Sequence, residues 1–190
     1  MNETVPSSSS IAGLRINIDR LICRTSELGR IGALEGGGVS RLALTDADKE
    51  ARDQVVAWMR ELGLSIRIDG IGNVFGIRAG SEDGPPVMVG SHIDTVATGG
   101  LYDGSLGVLA GLEVVEVLND VGVTTRRPLA VASFTNEEGA RFAPDMLGSL
   151  VFTGKLSPEA AYDIVGIDGK RLGDELGRIG YRGDAPVGAL

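Results

Sequence analysis

The sequence is poor in three kinds of residue: it has 1 cysteine, 1 histidine and only 4% aromatic residues. A single cysteine excludes an intramolecular disulfide. Cys23 lies in a stretch whose apolar residues recur at helical spacing, and this context predicts a packed thiol rather than a nucleophile. Few aromatic residues together with 29 glycines favour an α/β enzyme with tight strand-to-helix turns over an all-β sandwich.

An excess of positive charge is also absent, since the net charge is −8 at pH 7. A nucleic-acid-binding surface needs clustered Lys and Arg, so this class of partner is excluded. No apolar run reaches the ~20 residues that span a bilayer, and the polar beginning of the chain has no apolar core of a secretory signal. We therefore expect a soluble, cytoplasmic protein that does not bind membranes.

The sequence of the first part of the chain predicts a polar tail, followed by two helices and a pair of strands. Residues 1–10 are Ser-rich and are predicted to be disordered. Apolar residues at helical spacing predict a helix over 14–28, and Thr45 is placed to cap a second helix that ends at a glycine. Alternating apolar and polar residues over 65–69 and 74–78 predict neighbouring strands.

The middle of the chain carries the clearest fold signal. The run VMVG predicts a buried strand, residues 105–118 an apolar-striped helix, and the run LAVASF a second buried strand. Strand, helix and strand with a long connection form the βαβ pattern of a parallel sheet. We expect an α/β fold with a mostly parallel sheet flanked by helices, then a short helix over 158–162 and glycine-rich turns.

Residues that can do chemistry follow both predicted strands. His92 and Asp94 come directly after the first strand, Glu137 and Glu138 after the second, and Asp103 lies between them in a glycine-rich loop. Ligands of open parallel sheets bind outside the carboxyl ends of the strands, so both groups can face one crevice. A histidine, an Asp-Gly turn or a Glu pair is ordinary when taken alone. The combination at these strand ends favours a functional site.

This set of side chains suits a divalent metal ion such as Zn²⁺, Mn²⁺ or Co²⁺. Asp94 is placed to hold the second N–H of the His92 imidazole and fix its tautomer. The adjacent Glu137 and Glu138 suit two tasks, one as a ligand and one as a general base beside a water molecule. Asp103 has two carboxylate oxygens and can bridge two metal ions about 4 Å apart.

The segments GSHIDTVATGGLYDGSLG and FTNEEGARFAPDMLGS resemble the M20-type metallohydrolases. Within that group they are similar to the amidase branch of hydantoinases and carbamoylases, which includes N-carbamoyl-L-amino acid hydrolases and allantoate amidohydrolases. The resemblance implies that His92, Asp103 and Glu138 are metal ligands, that Glu137 is the general base and that Asp94 orients His92. It also implies two divalent ions, with Zn²⁺ favoured and Mn²⁺, Ni²⁺ or Co²⁺ as alternatives.

By the same resemblance, residues 11–190 are the N-terminal part of a catalytic domain. The family uses two further histidines, one shortly after a stretch like GYRGDAP, and this chain has neither. The resemblance also implies a lid domain, absent here, through which the complete enzyme forms a homodimer. We therefore expect an incomplete, inactive piece of a hydrolase that cleaves the C–N bond of a small N-carbamoyl or ureido substrate.

Three other interpretations stay open at this level. The first is a dipeptidase or aminoacylase of the M20 type, with the same chemistry on another substrate. The second is a non-catalytic remnant, or a subunit that needs a complementing C-terminal piece. The third is a small metal-binding module, which is disfavoured because a structural site usually has four protein donors.

Overall fold

The computed structural model describes residues 13–190, so the predicted disordered tail lies outside the described residues. Six helices and four strands follow one another in this part of the chain. Their bounds are α1 Ile18–Leu28, α2 Asp46–Glu61, β1 Ser65–Ile68, β2 Val74–Arg78, β3 Val87–His92, α3 Ser105–Asp120, β4 Leu129–Phe134, α4 Leu147–Phe152, α5 Pro158–Tyr162 and α6 Leu172–Ile179. Among these helices, none combines the length and apolarity needed to cross a membrane.

The four strands form one sheet in the order β1-β2-β4-β3. The predicted βαβ unit is confirmed, because β3 and β4 pair in parallel and α3 connects them. The other two pairings, β1 with β2 and β2 with β4, are antiparallel. The sheet is therefore mixed, where the sequence predicted a mostly parallel one. The short connection over residues 69–73 permits only a hairpin, since a parallel crossover needs a dozen or more residues.

The sheet has a helical layer on one face and an aromatic cluster on the other. Gly76 of β2 faces Met59 of α2, and its cross-strand partner Val131 faces α3, so both helices cover the same face. The side chains of Phe75, Phe134 and Phe152 lie on the opposite face, with ring centroids 5.5 to 6.2 Å apart. Apolar side chains therefore pack on both faces of β2 and β4, the two middle strands of the sheet.

Strand β4 is buried and strand β3 is not, although both were predicted to be buried. Ala130, Val131 and Ala132 have no exposed surface. In β3, by contrast, Val87 and Val89 are 52% and 49% exposed. The difference follows from position, because β4 lies between two strands whereas β3 is at the edge of the sheet. A run of apolar residues cannot distinguish these two positions.

Helix α1 begins later than predicted, and its cysteine is exposed. Asn17 caps the helix, its side chain accepting from the N–H of Arg20. The buried face carries Leu21, Thr25 and Leu28. Residues two apart on a helix do not share a face, so Cys23 points away from Leu21 into solvent. The prediction of a packed Cys23 is therefore wrong.

A buried carboxylate joins α1 to α3. The side chain of Glu113 has no exposed surface and accepts hydrogen bonds from Arg20 Nε at 2.7 Å and from the main chain of Asn17 at 2.7 Å. Burial pushes the pKa of Glu113 upward, but these hydrogen bonds outweigh it and leave the pKa below its ordinary value. The ion pair therefore supports the packing of α1 on α3.

Helix α2 agrees with its prediction, whereas α4 and α6 were not predicted. Thr45 caps α2 by accepting from the N–H of Asp48, and Gly63 follows the helix at a φ of +79°. Helix α6 lies where glycine-rich turns were expected, and it buries Leu172, Leu176 and Ile179. That spacing is a helical stripe, which two glycines inside the helix obscure in the sequence.

Candidate metal centre

Three side chains from separate elements meet at one end of the sheet. His92 ends β3, Asp103 precedes α3, and Glu138 follows β4. One possible ligand atom from each residue lies within 4.8 Å of the other two. His92 is buried, Glu138 is half-buried and Asp103 is exposed, so the cluster opens to solvent on one side. The structure thus brings together the three residues that the sequence analysis named as metal ligands.

The orientation of the His92 ring is set by a main-chain group. Its Nδ1 lies 2.9 Å from the carbonyl oxygen of Asp94. A carbonyl only accepts hydrogen bonds, so Nδ1 carries the proton, and a neutral imidazole then presents its lone pair at Nε2. Nε2 faces the carboxylate of Glu137, with Oε2 at 3.3 Å. This nitrogen is the one available to a metal ion.

The carboxylate of Asp94 has a different task from the one predicted. Its nearer oxygen is 3.8 Å from His92 Nδ1, which is too far for a hydrogen bond. The two oxygens instead accept from the main-chain N–H groups of Glu137 at 3.1 Å and Glu138 at 3.2 Å. Asp94 therefore orients His92 through its backbone and holds the two glutamates through its side chain. The sequence predicted that Asp94 orients His92, but through its carboxylate rather than its main-chain carbonyl. The contact with the two glutamates was not predicted.

The pKa values of two carboxyl groups in the site are raised, chiefly by burial and in addition by neighbouring negative charge. Burial raises the pKa of Asp94 to about 6, and the nearby Asp48 adds to the rise. The pKa of Glu138 is also raised, first by burial and then by the charges of Asp103 and Glu137, while His92 opposes the shift. A divalent cation would relieve this repulsion. The oxygen and imidazole donors are the types that bind zinc and similar ions.

A glycine makes room for the imidazole. Gly104 has a φ of +61°, and a Cβ built on it would overlap the ring of His92. Only glycine adopts this positive φ easily and also leaves free the space that the imidazole occupies. Gly107, one helical turn further on, lies against Ser91, whose Cβ would be 2.7 Å from an added methyl group. The glycines after Asp103 therefore let α3 approach the end of β3 closely.

A buried arginine that the sequence analysis did not identify lies beneath the site. Arg41 donates from Nε to the carbonyl of Ile93 at 2.7 Å and from a terminal nitrogen to the hydroxyl of Ser105 at 3.1 Å. Burial lowers the pKa of Arg41, and the charges of Asp48 and Asp94 counter that shift. Arg41 thus ties the segment between His92 and Asp94 to the start of α3.

The segment around Gly148 is also fixed to the end of β4. Asn73 accepts from the main-chain N–H of Thr135 at 2.9 Å and donates to the carbonyl of Gly148 at 3.1 Å. A Cβ on Gly148 would overlap Asn73. The hydroxyl of Ser149 donates to the carbonyl of Met146. These contacts place α4 beside the loop that carries the glutamates.

The residues of the site lie in a part of the chain that matches a known protein family. The profile described as Peptidase family M28 matches residues 73–165, a range that contains all five site residues. This name differs from the M20 label suggested by the sequence segments. An N-carbamoyl-L-amino-acid amidohydrolase of Rhizobium meliloti is 50% identical over 176 residues, which are 92% of this chain and 42% of that protein. A ureidoglycolate hydrolase of Oryza sativa is 39% identical over 140 residues, which are 73% of this chain and 29% of that protein.

A solved structure matches both the sequence and the fold. The hydantoinase/carbamoylase family amidase of Burkholderia ambifaria has a TM-score of 0.92 and 48% identity, over 93% of this chain and 44% of that one. The chain belongs to the hydantoinase/carbamoylase family of amidases. The amidase branch expected from the sequence is thereby confirmed. This family member spans less than half the length of the relatives cited above.

Proposed function

We propose that His92, Asp103 and Glu138 hold a divalent metal ion, and that the activity served by this site is hydrolysis of a C–N bond in an N-carbamoyl or ureido compound. The proposal is supported chiefly by the three donors within 4.8 Å of one another. Zn²⁺ fits the donor set best, and Mn²⁺, Ni²⁺ or Co²⁺ are alternatives. The names of the Rhizobium and Oryza relatives support the substrate class.

Glu137 is the proposed general base. It lies beside His92, and its side chain is 36% exposed, so it can reach both the centre and a substrate. Its carboxylate takes a proton from water as the water oxygen bonds to the carbonyl carbon. Glu137 then passes that proton to the leaving nitrogen as the C–N bond breaks. A bound divalent ion supplies polarisation of the carbonyl and stabilises the oxyanion.

We further propose that this chain alone does not turn over substrate. Three donors can serve one ion, but two ions that share Asp103 would each have too few protein ligands. Its only histidine, His92, is already in the cluster. The remaining donors, and the predicted dimer contact through a lid domain, would come from the part of the relatives that this chain does not match.

The proposal can be tested by transplanting the site. The 176 matched residues of this chain would replace the corresponding segment of the Rhizobium amidohydrolase. After loading with Zn²⁺, Mn²⁺ or Co²⁺, the chimera would be assayed for ammonia release from N-carbamoyl-L-amino acids and from ureidoglycolate. Dipeptides would be assayed in parallel for release of free amino acids, because cleavage of a peptide bond gives no ammonia. A second chimera with Glu137→Gln is the matched control, because it keeps the size of the side chain and removes the base.

We expect the chimera to hydrolyse N-carbamoyl or ureido substrates and the Glu137→Gln control to lose activity by a factor of about 10² or more. Hydrolysis of dipeptides alone would favour the peptidase interpretation. A folded, metal-loaded chimera without any activity would contradict the proposal. Activity of the unmodified 190-residue chain on the same substrates would contradict the expectation that it is inert.

A further inference from the structure

The two glutamates of the site lie on a loop, so their position depends on the contacts that hold this loop. The stretch between the end of β4 and the start of α4 contains no helix or strand. Glu137 and Glu138 are near its beginning, and backbone outside regular ladders moves more easily than strands or helices. Asp94 holds this stretch from one side by accepting both N–H groups.

A second attachment comes from the residue immediately before the glutamates. The side chain of Asn136 has no exposed surface. Its Nδ2 donates to the carbonyl of Phe142 at 2.7 Å and to the carbonyl of Pro144 at 3.3 Å. One amide group therefore connects the beginning of the loop to its far side. Since Phe142 is itself fully buried, the far side is anchored in the core.

The backbone of Asn136 contributes to the same arrangement. Its φ is +52°, in the left-handed region that asparagine tolerates better than most residues. Two main-chain bonds close the loop, from the N–H of Met146 to the carbonyl of Glu137 at 2.6 Å and from the N–H of Leu147 to the carbonyl of Asn136 at 3.2 Å. The side chain and the backbone of Asn136 thus act on one closed loop.

We propose that Asn136 is a positioning residue, which sets the direction of the Glu137 and Glu138 carboxylates by closing the 136–147 loop. The hydrogen bonds of its side chain go to Phe142 and Pro144 rather than to the three proposed ligands, so it acts through the backbone that carries Glu137 and Glu138. The part of this inference that concerns metal binding rests on the function proposed above. The part that concerns loop position does not.

Two substitutions separate the role of the side chain from that of the backbone. Asn136→Gly permits the positive φ but removes the amide group. Asn136→Asp keeps the shape and the tolerance of a left-handed backbone but removes both N–H donors. Asn119→Asp is the matched control, because Asn119 also donates from Nδ2 to a carbonyl, that of Leu62 at 3.0 Å, away from the site.

The first measurement is hydrogen exchange of individual main-chain amides by NMR, without metal or substrate. We expect the N–H groups of Glu137 and Glu138 to exchange about tenfold faster or more in both Asn136 variants, and unchanged in the control. The amides of β4 serve as the internal reference and should keep their rates. If Asn136→Gly retains full protection at both glutamates, or if β4 loses protection equally, the positioning role is overturned.

The second measurement is the visible absorption and affinity of bound Co²⁺. Both Asn136 variants should bind Co²⁺ about tenfold more weakly, the loss typical of removing an outer partner of a metal site, with altered absorption bands. The Asn119 control should match the wild type. Unchanged spectra and affinity in both variants would also overturn the proposal. If the wild type binds no Co²⁺, the proposed metal centre fails, and hydrogen exchange alone decides the role of Asn136.

Discussion

The substitution Asp94→Asn tests how the site is held together. The carboxylate of Asp94 is buried and accepts from two main-chain N–H groups, those of Glu137 and Glu138. An asparagine of the same shape has only one acceptor oxygen. Its NH₂ group must therefore face one of the two N–H donors. The carbonyl of residue 94, which orients the His92 ring, is unchanged by the substitution.

The magnitude follows from the hydrogen bonds that are lost. A buried donor left without a partner costs about 1–3 kcal/mol. The loop that carries both glutamates must move to relieve this cost, so their carboxylates leave the direction that faces His92. Because 1.36 kcal/mol corresponds to a factor of ten, we expect the affinity for Zn²⁺ to fall by about 10- to 100-fold. That range is also typical for loss of an outer partner of a metal ligand.

The assay is competition for Zn²⁺ against a chromophoric chelator, together with urea unfolding. Asp69→Asn is the matched control, because Asp69 is also buried and accepts from main-chain N–H groups, those of Ile71 and Asn73. Both variants should lose stability, but only Asp94→Asn should lose Zn²⁺ affinity. Equal Zn²⁺ affinity of Asp94→Asn and the wild type would refute the holding role of this carboxylate.

Three further predictions concern other parts of the chain. Gly104→Ala should lower the free energy of unfolding by about 1–3 kcal/mol and weaken Co²⁺ binding, because its methyl group would displace the His92 ring; thermal melts and a Co²⁺ titration would show this. Glu113→Gln should cost about 3 kcal/mol at pH 7. Since the pKa of Glu113 is lowered in the folded state, its contribution is present above about pH 4.3 and is lost as the pH falls through the folded value. Urea unfolding of wild type and variant at pH 7 and pH 3 should therefore give a difference that shrinks at pH 3. Cys23 is exposed, so Ellman's reagent should label it in the native chain, and labelling only after unfolding would contradict this position.

Much of the fold was predictable because its signals are local. The cap of α2 at Thr45 and the alternating pattern of β1 and β2 depend on neighbouring residues alone. The closeness of His92 to the glutamates was predictable for a related reason, whereas the choice of His92, Asp103 and Glu138 as ligands came from the family resemblance. The carboxyl ends of two parallel strands must lie side by side, so residues that follow them meet without any knowledge of the rest of the fold.

What could not be predicted depends on position in the folded molecule. The exposure of β3 follows from its place at the sheet edge, and that of Cys23 from which face of α1 meets α3. The buried Arg41 and the loop attachment by Asn136 connect segments through main-chain carbonyls. Such hydrogen bonds leave no pattern in the sequence of the accepting segment, because every residue carries a main-chain carbonyl.

The central claim is that this chain supplies a metal site built around His92. Calorimetric titration of the folded chain with Zn²⁺, beside a His92→Ala variant of the same secondary structure, tests it most directly. We expect one ion bound per chain in the wild type and none in the variant at the same concentration. A folded wild type that binds no Zn²⁺, or a variant that binds it equally well, would contradict the account.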